Sequence, residues 1–283
     1  MQKLFTQILV PVDFSPKSKM AVEESAELAR LYECDLHLLY VLPLTPFTSL
    51  ASGEIPVTTV YDMVDNSGEA ERKLLELCAF VRSKSGNRFP VHHACVPGTW
   101  NRSVIEYITE KNIDLVVTGQ KSTLPGKRKI SLNPDIIAER TMVPVITIPS
   151  NKRLTRLFSI VIPVTEFLPV KKLMYGIYLG LRHGTTIKLL AVEDEKSHAS
   201  VQHYLKKSYQ LIRDNCTVKV ELETVRHTNV AAAVHDFAKA HEVDLIILNP
   251  GTQTRMPGFF SSVLGRFIQK YAAPPVMTVA PFS

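Results

Sequence analysis

The chain has 283 residues, 45% hydrophobic and 21% charged, which is typical of a soluble protein with two domains. No apolar run approaches the roughly 20 residues that span a bilayer, and the apolar start is too short for a signal peptide. We therefore expect a cytoplasmic protein with no membrane partner. Residues 1–150 carry 16 basic and 17 acidic side chains and residues 151–283 carry 17 and 10, but no nucleic-acid-binding signature occurs, so no nucleic-acid partner is expected.

Strands and helices alternate in the first half of the chain. Continuous Val, Ile and Leu runs predict strands near 7–12, 35–42, 90–95, 114–118 and 143–148. Apolar residues at helical spacing predict helices near 17–32, 67–84, 100–111 and 133–141. The stretch from Pro43 to Asn66, rich in Thr, Ser and Pro, is interpreted as a long loop. Strands without alternation are typical of a parallel sheet with helices on both faces.

The second half repeats this pattern. Its strands are predicted near 159–164, 186–192, 217–224, 244–249 and 275–280. Three segments recur in order: Gln7–Phe14 as Ser159–Glu166, Asn112–Gly119 as Glu242–Asn249, and Val143–Pro149 as Pro274–Ala280. The sequence therefore predicts two tandem α/β domains, 1–150 and 151–283, each an open five-stranded parallel sheet of the Rossmann-like, adenine-nucleotide alpha-hydrolase-like type.

Candidate binding residues follow three strands of the first copy. In open parallel sheets, ligands bind beyond the carboxyl ends of the strands, where the strand order reverses. The residues at these ends are Val12, Asp13, Phe14, Ser15, Val41, Thr118, Gly119, Lys121 and Ser122. The loop from Ser122 to Ser131 leads into a helix, whose first backbone amides can hold a phosphate. For Asp13, capping of the first helix is the alternative role.

Three motifs of the first copy resemble the universal stress protein domain. They are Ile-Leu-Val-Pro-Val-Asp-Phe-Ser from Ile8, Asp-Leu-Val-Val-Thr-Gly from Asp114 and Val-Pro-Val-Ile-Thr-Ile from Val143. The resemblance covers nearly the whole chain, twice. It implies that Asp13 contacts the adenine of ATP, and that a G-x2-G-x9-G-[ST] motif after the fourth strand wraps the phosphates.

This chain departs from that phosphate motif. Gly119 matches its first glycine, but Ser122 and Leu132 stand at the other glycine positions, with Ser131 beside Leu132. A side chain at such a position disfavours positive φ and close approach of a phosphate. In the second copy, Thr165 replaces Asp13, and the motif positions read Asn249, Thr252, Ser262 and Val263. We therefore expect weak binding of ATP or AMP in the first copy only, and a degenerate second copy.

Three functions remain open. The first is a non-enzymatic stress-response protein that binds an adenine nucleotide. The second is an adaptor without a ligand, in which the last strands, 143–148 and 275–280, pair within the chain and an open sheet edge forms a homodimer. The third is an ATP hydrolase, for which no catalytic base or metal-binding carboxylate pair can be named.

Other reactive residues are given structural interpretations. The pair His92-His93 is interpreted as a surface or core pair, with no metal site predicted. The four cysteines form no CxxC pair and are interpreted as reduced thiols. Trp100 is expected to pack, and Arg255–Phe260 to fill the vacant phosphate region of the second copy.

Overall fold

The computed structural model describes residues 3–43, 58–120, 132–149, 152–154, 156–193, 197–250 and 274–281. It divides the chain into two compact units. The first comprises Met1–Thr118 and Ser122–Asn133, and the second comprises Gly119–Lys121 and Pro134–Ser283. Both units have mainly parallel strands that alternate with helices, which confirms the predicted α/β fold class.

The first unit is a parallel sheet with three described helices. Its elements are β1 (Gln7–Pro11), α1 (Pro16–Tyr32), β2 (Asp35–Pro43), α2 (Thr58–Ser85), β3 (Val91–Gly98), α3 (Trp100–Glu110) and β4 (Leu115–Gly119). The strand order is β3-β2-β1-β4, and the β1–β2, β1–β4 and β2–β3 pairs are parallel. Ile8, Leu9 and Val10 of β1 are fully buried, as expected for a central strand between helices. The strand order reverses at β1, the position that the sequence analysis assigns to a ligand.

Helix α2 begins earlier than the sequence predicts. Its first residue is Thr58, so part of the segment Pro43 to Asn66 is helical, and its interpretation as one long loop was wrong. The Thr and Ser content of this segment favoured a loop. However, residues 57–67 contain neither Pro nor Gly, so nothing in the backbone chemistry interrupts a helix there.

The described residues of the second unit form six strands. Its elements are α4 (Pro134–Thr141), β5 (Val145–Ile148), β6 (Ser159–Val164), α5 (Val170–His183), β7 (Thr186–Glu193), α6 (His198–Asn215), β8 (Lys219–Arg226), α7 (Val230–Ala240), β9 (Leu245–Leu248) and β10 (Val276–Thr278). The strand order is β5-β10-β9-β6-β7-β8. Strands β6 to β10 form parallel pairs with one another, and Val161, Ile246 and Val276 lie in one buried apolar cluster with residues of α7.

Strand β5 belongs to an antiparallel strand pair. It pairs antiparallel with β10, with Ile146 opposite Met277, and it groups with the second unit. This pairing confirms the prediction that the two last strands join within the chain. The physical reason is that β5 and β10 are short apolar edges, and each covers the unpaired backbone groups of the other.

The amino ends of the two sheets are built alike. The carboxylate of Asp114, just before β4, accepts hydrogen bonds from Thr6 N at 2.7 Å and Gln7 N at 3.1 Å. The carboxylate of Asp244, just before β9, accepts from Phe158 N at 2.8 Å and Ser159 N at 3.0 Å. An aspartate therefore connects the start of β4 to the start of β1 in the first unit and the start of β9 to the start of β6 in the second, as expected for a duplicated domain.

Candidate functional site

Asp13 is held in a tight turn directly after β1. Its Oδ1 accepts a hydrogen bond from Ser15 N at 2.9 Å, and its own N donates to Ser18 Oγ at 3.3 Å. Among the described residues, the second carboxylate oxygen makes no hydrogen bond, so it remains able to accept one from a ligand. The Asp13 side chain is half-buried. This turn fixes one carboxylate oxygen and leaves the other available.

Ser15, rather than Asp13, caps the first helix. The Ser15 hydroxyl accepts a hydrogen bond from Ser18 N at 3.2 Å, and Pro16 occupies the first position of α1. The alternative interpretation, in which Asp13 caps the first helix, was therefore wrong. A serine at this position satisfies the helix amides, so the Asp13 carboxylate is not required for that purpose.

The remaining predicted residues near β1 lie at the same edge of the first sheet. Val12 is fully buried, and its N donates to Leu39 O at 2.8 Å. Leu9 is beside Val116 in the β1–β4 register, so Thr118, two residues further on, is level with the end of β1. Val41 is fully buried near the end of β2, and the structure therefore places it in the core.

Phe14 has a left-handed backbone conformation, with φ of 59°. For a bulky side chain this costs about 1–2 kcal/mol, so the surrounding structure has to enforce it. The Phe14 ring lies 4.8 Å from the Tyr40 ring, and Lys73 Nζ lies 5.7 Å above Phe14. Tyr40 in turn makes an edge-to-face contact with Trp100 at 6.0 Å. Phe14, Tyr40 and Trp100 are called the edge aromatic cluster below.

Tyr40 was missed by the sequence analysis. Burial raises the pKa of its hydroxyl, and the neighbouring Cys95 and Asp13 add to this effect. Tyr40 is therefore electrostatically close to the candidate carboxylate. Its position next to Val41, near the end of the second predicted strand, could have identified Tyr40 as a candidate site residue. Trp100 packs as expected, at the first position of α3.

The loop after β4 is described only at its two ends. Lys121, Ser122 and Ser131 lie outside the described residues. Gly119 is the last residue of β4 and groups with the second unit. Leu132, at a glycine position of the phosphate motif, is 5% exposed, and the next backbone N, that of Asn133, donates to Asn101 Oδ1 at 2.9 Å. An apolar side chain is thus buried where the motif requires a bare backbone.

The corresponding edge of the second unit has different chemistry. Thr165 follows β6, and Pro169 precedes α5 without making a side-chain cap. Lys172, in the first turn of α5, is 1% exposed, and its Nζ donates to Pro163 O at 2.7 Å. Burial lowers the pKa of this amine to about 7.

The remaining predicted positions of the second copy are mostly outside the described residues. Thr252, Ser262, Val263 and the segment Arg255–Phe260 all lie there. Asn249 is described: it is 2% exposed, and its Nδ2 donates to Val279 O at 2.8 Å.

The histidine pair His92-His93 has acidic partners that are distant in sequence. His92 Nε2 lies 3.3 Å from Asp35 Oδ2, and His93 Nε2 lies 3.4 Å from Glu71 Oε1. The part of the chain that the structure describes contains no group of three His, Cys, Asp or Glu side chains able to hold a metal. It also contains no helix long and apolar enough to cross a bilayer. All four cysteines are free thiols.

Comparison with known proteins identifies the family. The model of the Universal stress protein family matches residues 4–149. Universal stress protein A homolog 1 of Coxiella burnetii is 29% identical over 115 residues, which are 41% of this chain and 76% of that protein. A universal stress protein of Methanocaldococcus jannaschii is 23% identical over 157 residues, 54% of this chain and 86% of that protein.

Solved structures share the fold over the whole chain. A universal stress protein from Archaeoglobus fulgidus has a TM-score of 0.69 at 14% identity, covering 98% of both chains. A functionally unknown protein from Pseudomonas aeruginosa has a TM-score of 0.59 at 13% identity, covering 98% of this chain and 93% of that one. The motifs around Asp13, the parallel sheet with its order reversed at β1 and the family match agree, and the chain belongs to the universal stress protein family.

Proposed function

We propose that the first copy, residues 1–150, binds an adenine nucleotide, ATP or AMP, and that the protein is a cytoplasmic, non-enzymatic binding protein of the stress response. The observation that carries this proposal is the Asp13 turn. One carboxylate oxygen is anchored by Ser15 N at 2.9 Å at the carboxyl edge of the sheet, and the other can accept a hydrogen bond from the exocyclic amine of adenine.

Two features favour stronger binding of the adenine ring than of the phosphates. Phe14 and Tyr40 place apolar ring surface beside Asp13, whereas the glycine positions of the phosphate motif carry Ser122 and Leu132. The resemblance assigns Gly119, Ser122 and Leu132, with Ser131 beside Leu132, to the phosphate side, and the charge of Lys121 favours a phosphate there. Because that side is poor in glycine, ATP and AMP are expected to bind with similar, weak affinity.

The decisive experiment is calorimetric titration of the full chain with ATP and with AMP. Asp13→Asn retains an oxygen for the Ser15 amide but presents an amide group to the ligand. We expect this change to weaken binding at least tenfold, which corresponds to about 1.4 kcal/mol. The matched control is Asp214→Asn, an exposed carboxylate on α6, which should leave the affinity unchanged. Absence of binding at millimolar nucleotide, or equal binding by wild type and Asp13→Asn, would contradict the proposal.

The second candidate function is that of an adaptor that acts as a homodimer without a ligand. It is supported by β8, an edge strand on which Leu222 is 43% exposed. Light scattering across a concentration series tests it. A dimer that Leu222→Lys dissociates, while Leu75→Lys on α2 does not, would favour this function. A monomer at every concentration would exclude it.

A further inference from the structure

A buried polar network lies at the amino end of the first sheet, away from the Asp13 turn. His37 on β2 is at its centre and is 6% exposed. Its Nε2 lies 2.7 Å from Gln7 Oε1, and its Nδ1 lies 3.0 Å from the Tyr107 hydroxyl on α3. Gln7 Nε2 donates to Asp35 Oδ2 at 3.4 Å, and the His92 ring packs on the His37 ring at 4.6 Å. The network therefore connects β1, β2, β3 and α3.

The partners determine which nitrogen of His37 carries the proton. Gln7 Oε1 can only accept a hydrogen bond, and the Gln7 amide is oriented by its bond to Asp35. His37 Nε2 must therefore be protonated. In the neutral ring Nδ1 has a lone pair and no proton, so the Tyr107 hydroxyl donates to it. The bond that attaches α3 to β2 thus exists in this form only while His37 is neutral.

The surroundings favour the neutral ring. Burial lowers the pKa of His37 to about 4, and the charges of His92 and Lys111 add to this effect, while Asp35 opposes it. Burial also raises the pKa of Tyr107 to about 12, so this hydroxyl keeps its proton. These are the titratable groups that face His37 from β2, β3, α3 and the residue that follows α3.

We propose that this network is an acid-sensitive attachment, called the latch below, in which a second proton on His37 reverses its bond to Tyr107 and loosens α3 from the sheet. A proton on Nδ1 would point at the Tyr107 hydroxyl, whose own proton would have to turn away. The charged ring would also stack directly on His92. Acid therefore reverses the direction of the His37–Tyr107 bond, takes the acceptor from the buried Tyr107 proton and places a buried charge beside His92, and α3 responds because Tyr107 is on that helix.

The same helix extends to the edge aromatic cluster. Trp100 is the first residue of α3 and contacts Tyr40, and Tyr107 lies seven residues further along. Seven residues of helix span about 10 Å. Loosening of α3 at Tyr107 should therefore disturb Trp100 at the opposite edge of the sheet. Trp100 is the single tryptophan of the chain, so its fluorescence reports on the latch without a label.

The direction of the pH effect follows from linkage. The unfolded chain takes up the His37 proton near pH 6.5, its ordinary value, whereas the folded chain resists protonation down to about pH 4. The stability of α3 should therefore fall as the pH drops through this window. Below it, both states are protonated and the contribution of His37 no longer changes.

The test is an acid titration of Trp100 fluorescence and of α3 amide exchange between pH 7 and pH 4. The wild type should show a spectral change and, after correction for the intrinsic pH dependence of amide exchange, roughly tenfold weaker protection of the α3 amides at the acid end. His37→Gln, which bonds similarly but does not titrate, should lose most of this response. The matched control His203→Gln removes an exposed imidazole from α6 and should titrate like the wild type. Equal responses in wild type and His37→Gln would overturn the proposal.

A second measurement decides the matter if His37→Gln fails to fold. Nitrogen-15 spectra of the wild-type histidine rings should show His37 with its proton on Nε2 at neutral pH and protonated only below about pH 5. Tyr107→Phe should accelerate α3 exchange already at neutral pH and reduce the pH dependence of α3 protection. A proton on Nδ1 at neutral pH, or titration of His37 near 6.5, would contradict the latch.

Discussion

The two units are alike at the amino ends of their sheets and different at the carboxyl ends. Asp114 and Asp244 tie the fourth strand to the first in the same way in both units. After the first strand, however, one unit has the short polar turn of Asp13 and Ser15, and the other has the buried amine of Lys172. The duplication has therefore retained the bonds at the amino ends of the sheets, while the carboxyl ends have diverged.

The difference teaches how a duplicated site can be lost while the fold is kept. A carboxylate in a half-buried turn can exchange its bonds with water for bonds to a ligand. The buried amine of Lys172 on α5 instead bonds to the carbonyl of Pro163 on β6, so this bond joins a helix to a strand within the unit, and burial of the amine carries a desolvation cost. We expect the first edge to respond to ligands and the second edge to respond to pH.

The largest expected effect concerns Gly98, at the end of β3 in the first unit. Its φ of 148° disfavours any side chain, and an added Cβ would lie 2.2 Å from Ser103 Oγ. Gly98→Ala should destabilise the first unit by about 3–4 kcal/mol, as measured by urea unfolding followed through Trp100 fluorescence. Gly86→Ala, at positive φ but in open space, is the control and should cost about 1 kcal/mol. Equal losses would show that steric contact at this edge is unimportant.

Lys172→Met tests the divergent edge directly. The pKa of about 7 means that the folded state releases a proton that the unfolded state keeps up to about pH 10.5, so wild-type stability should rise with pH across this window. After allowance for the lost bond to Pro163 O, the substitution should stabilise the protein by about 2–3 kcal/mol at pH 7.

The readout for Lys172→Met is the difference in unfolding free energy from wild type at several pH values, followed by circular dichroism. The difference should shrink toward pH 10.5. Lys207→Met, an exposed lysine on α6, should show no such trend. A pH-independent difference would mean that the folded protein holds the Lys172 proton as tightly as the unfolded chain does, so that the pKa of this amine is not lowered.

The shared amino edges should respond alike to equivalent substitutions. Asp114→Ala removes bonds to Thr6 and Gln7, and Asp244→Ala removes bonds to Phe158 and Ser159. Each change should cost about 2 kcal/mol, because it leaves backbone amides without their partner. Hydrogen exchange at the starts of β1 and β6 measures both. A loss confined to one unit would break the equivalence of the two amino edges.

The smallest expected effect is that of helix caps. Ser15→Ala should destabilise α1 by about 1 kcal/mol, because the hydroxyl accepts from Ser18 N. Asn229→Ala should cost a similar amount in the second unit, where Asn229 Oδ1 accepts from Ala232 N at 3.0 Å. Thr99 makes no side-chain cap on α3, so Thr99→Ala serves as the control with an effect near zero.

Local sequence determined the order of strands and helices, the repeat and the position of Asp13 after the first strand. These features depend on side chains that are close in sequence: continuous apolar runs form buried strands, and periodic apolar residues form helices. The predicted start of α2 was wrong because the Thr, Ser and Pro content of the preceding segment was taken to indicate a loop, whereas the structure begins this helix at Thr58. The Asp13 position was predictable because an aspartate directly after a buried strand has to lie at the sheet edge.

Only the tertiary structure decided which distant residues meet. The contacts of Tyr40 with Phe14 and Trp100, and of His37 with Tyr107, join elements separated by tens of residues, and no periodicity encodes them. Likewise, β5 groups with the second unit because it pairs with β10, a strand that is more than 100 residues away in the sequence. Burial, which sets the pKa values of His37 and Lys172, is a property of packing in three dimensions, so residue type alone could not reveal it.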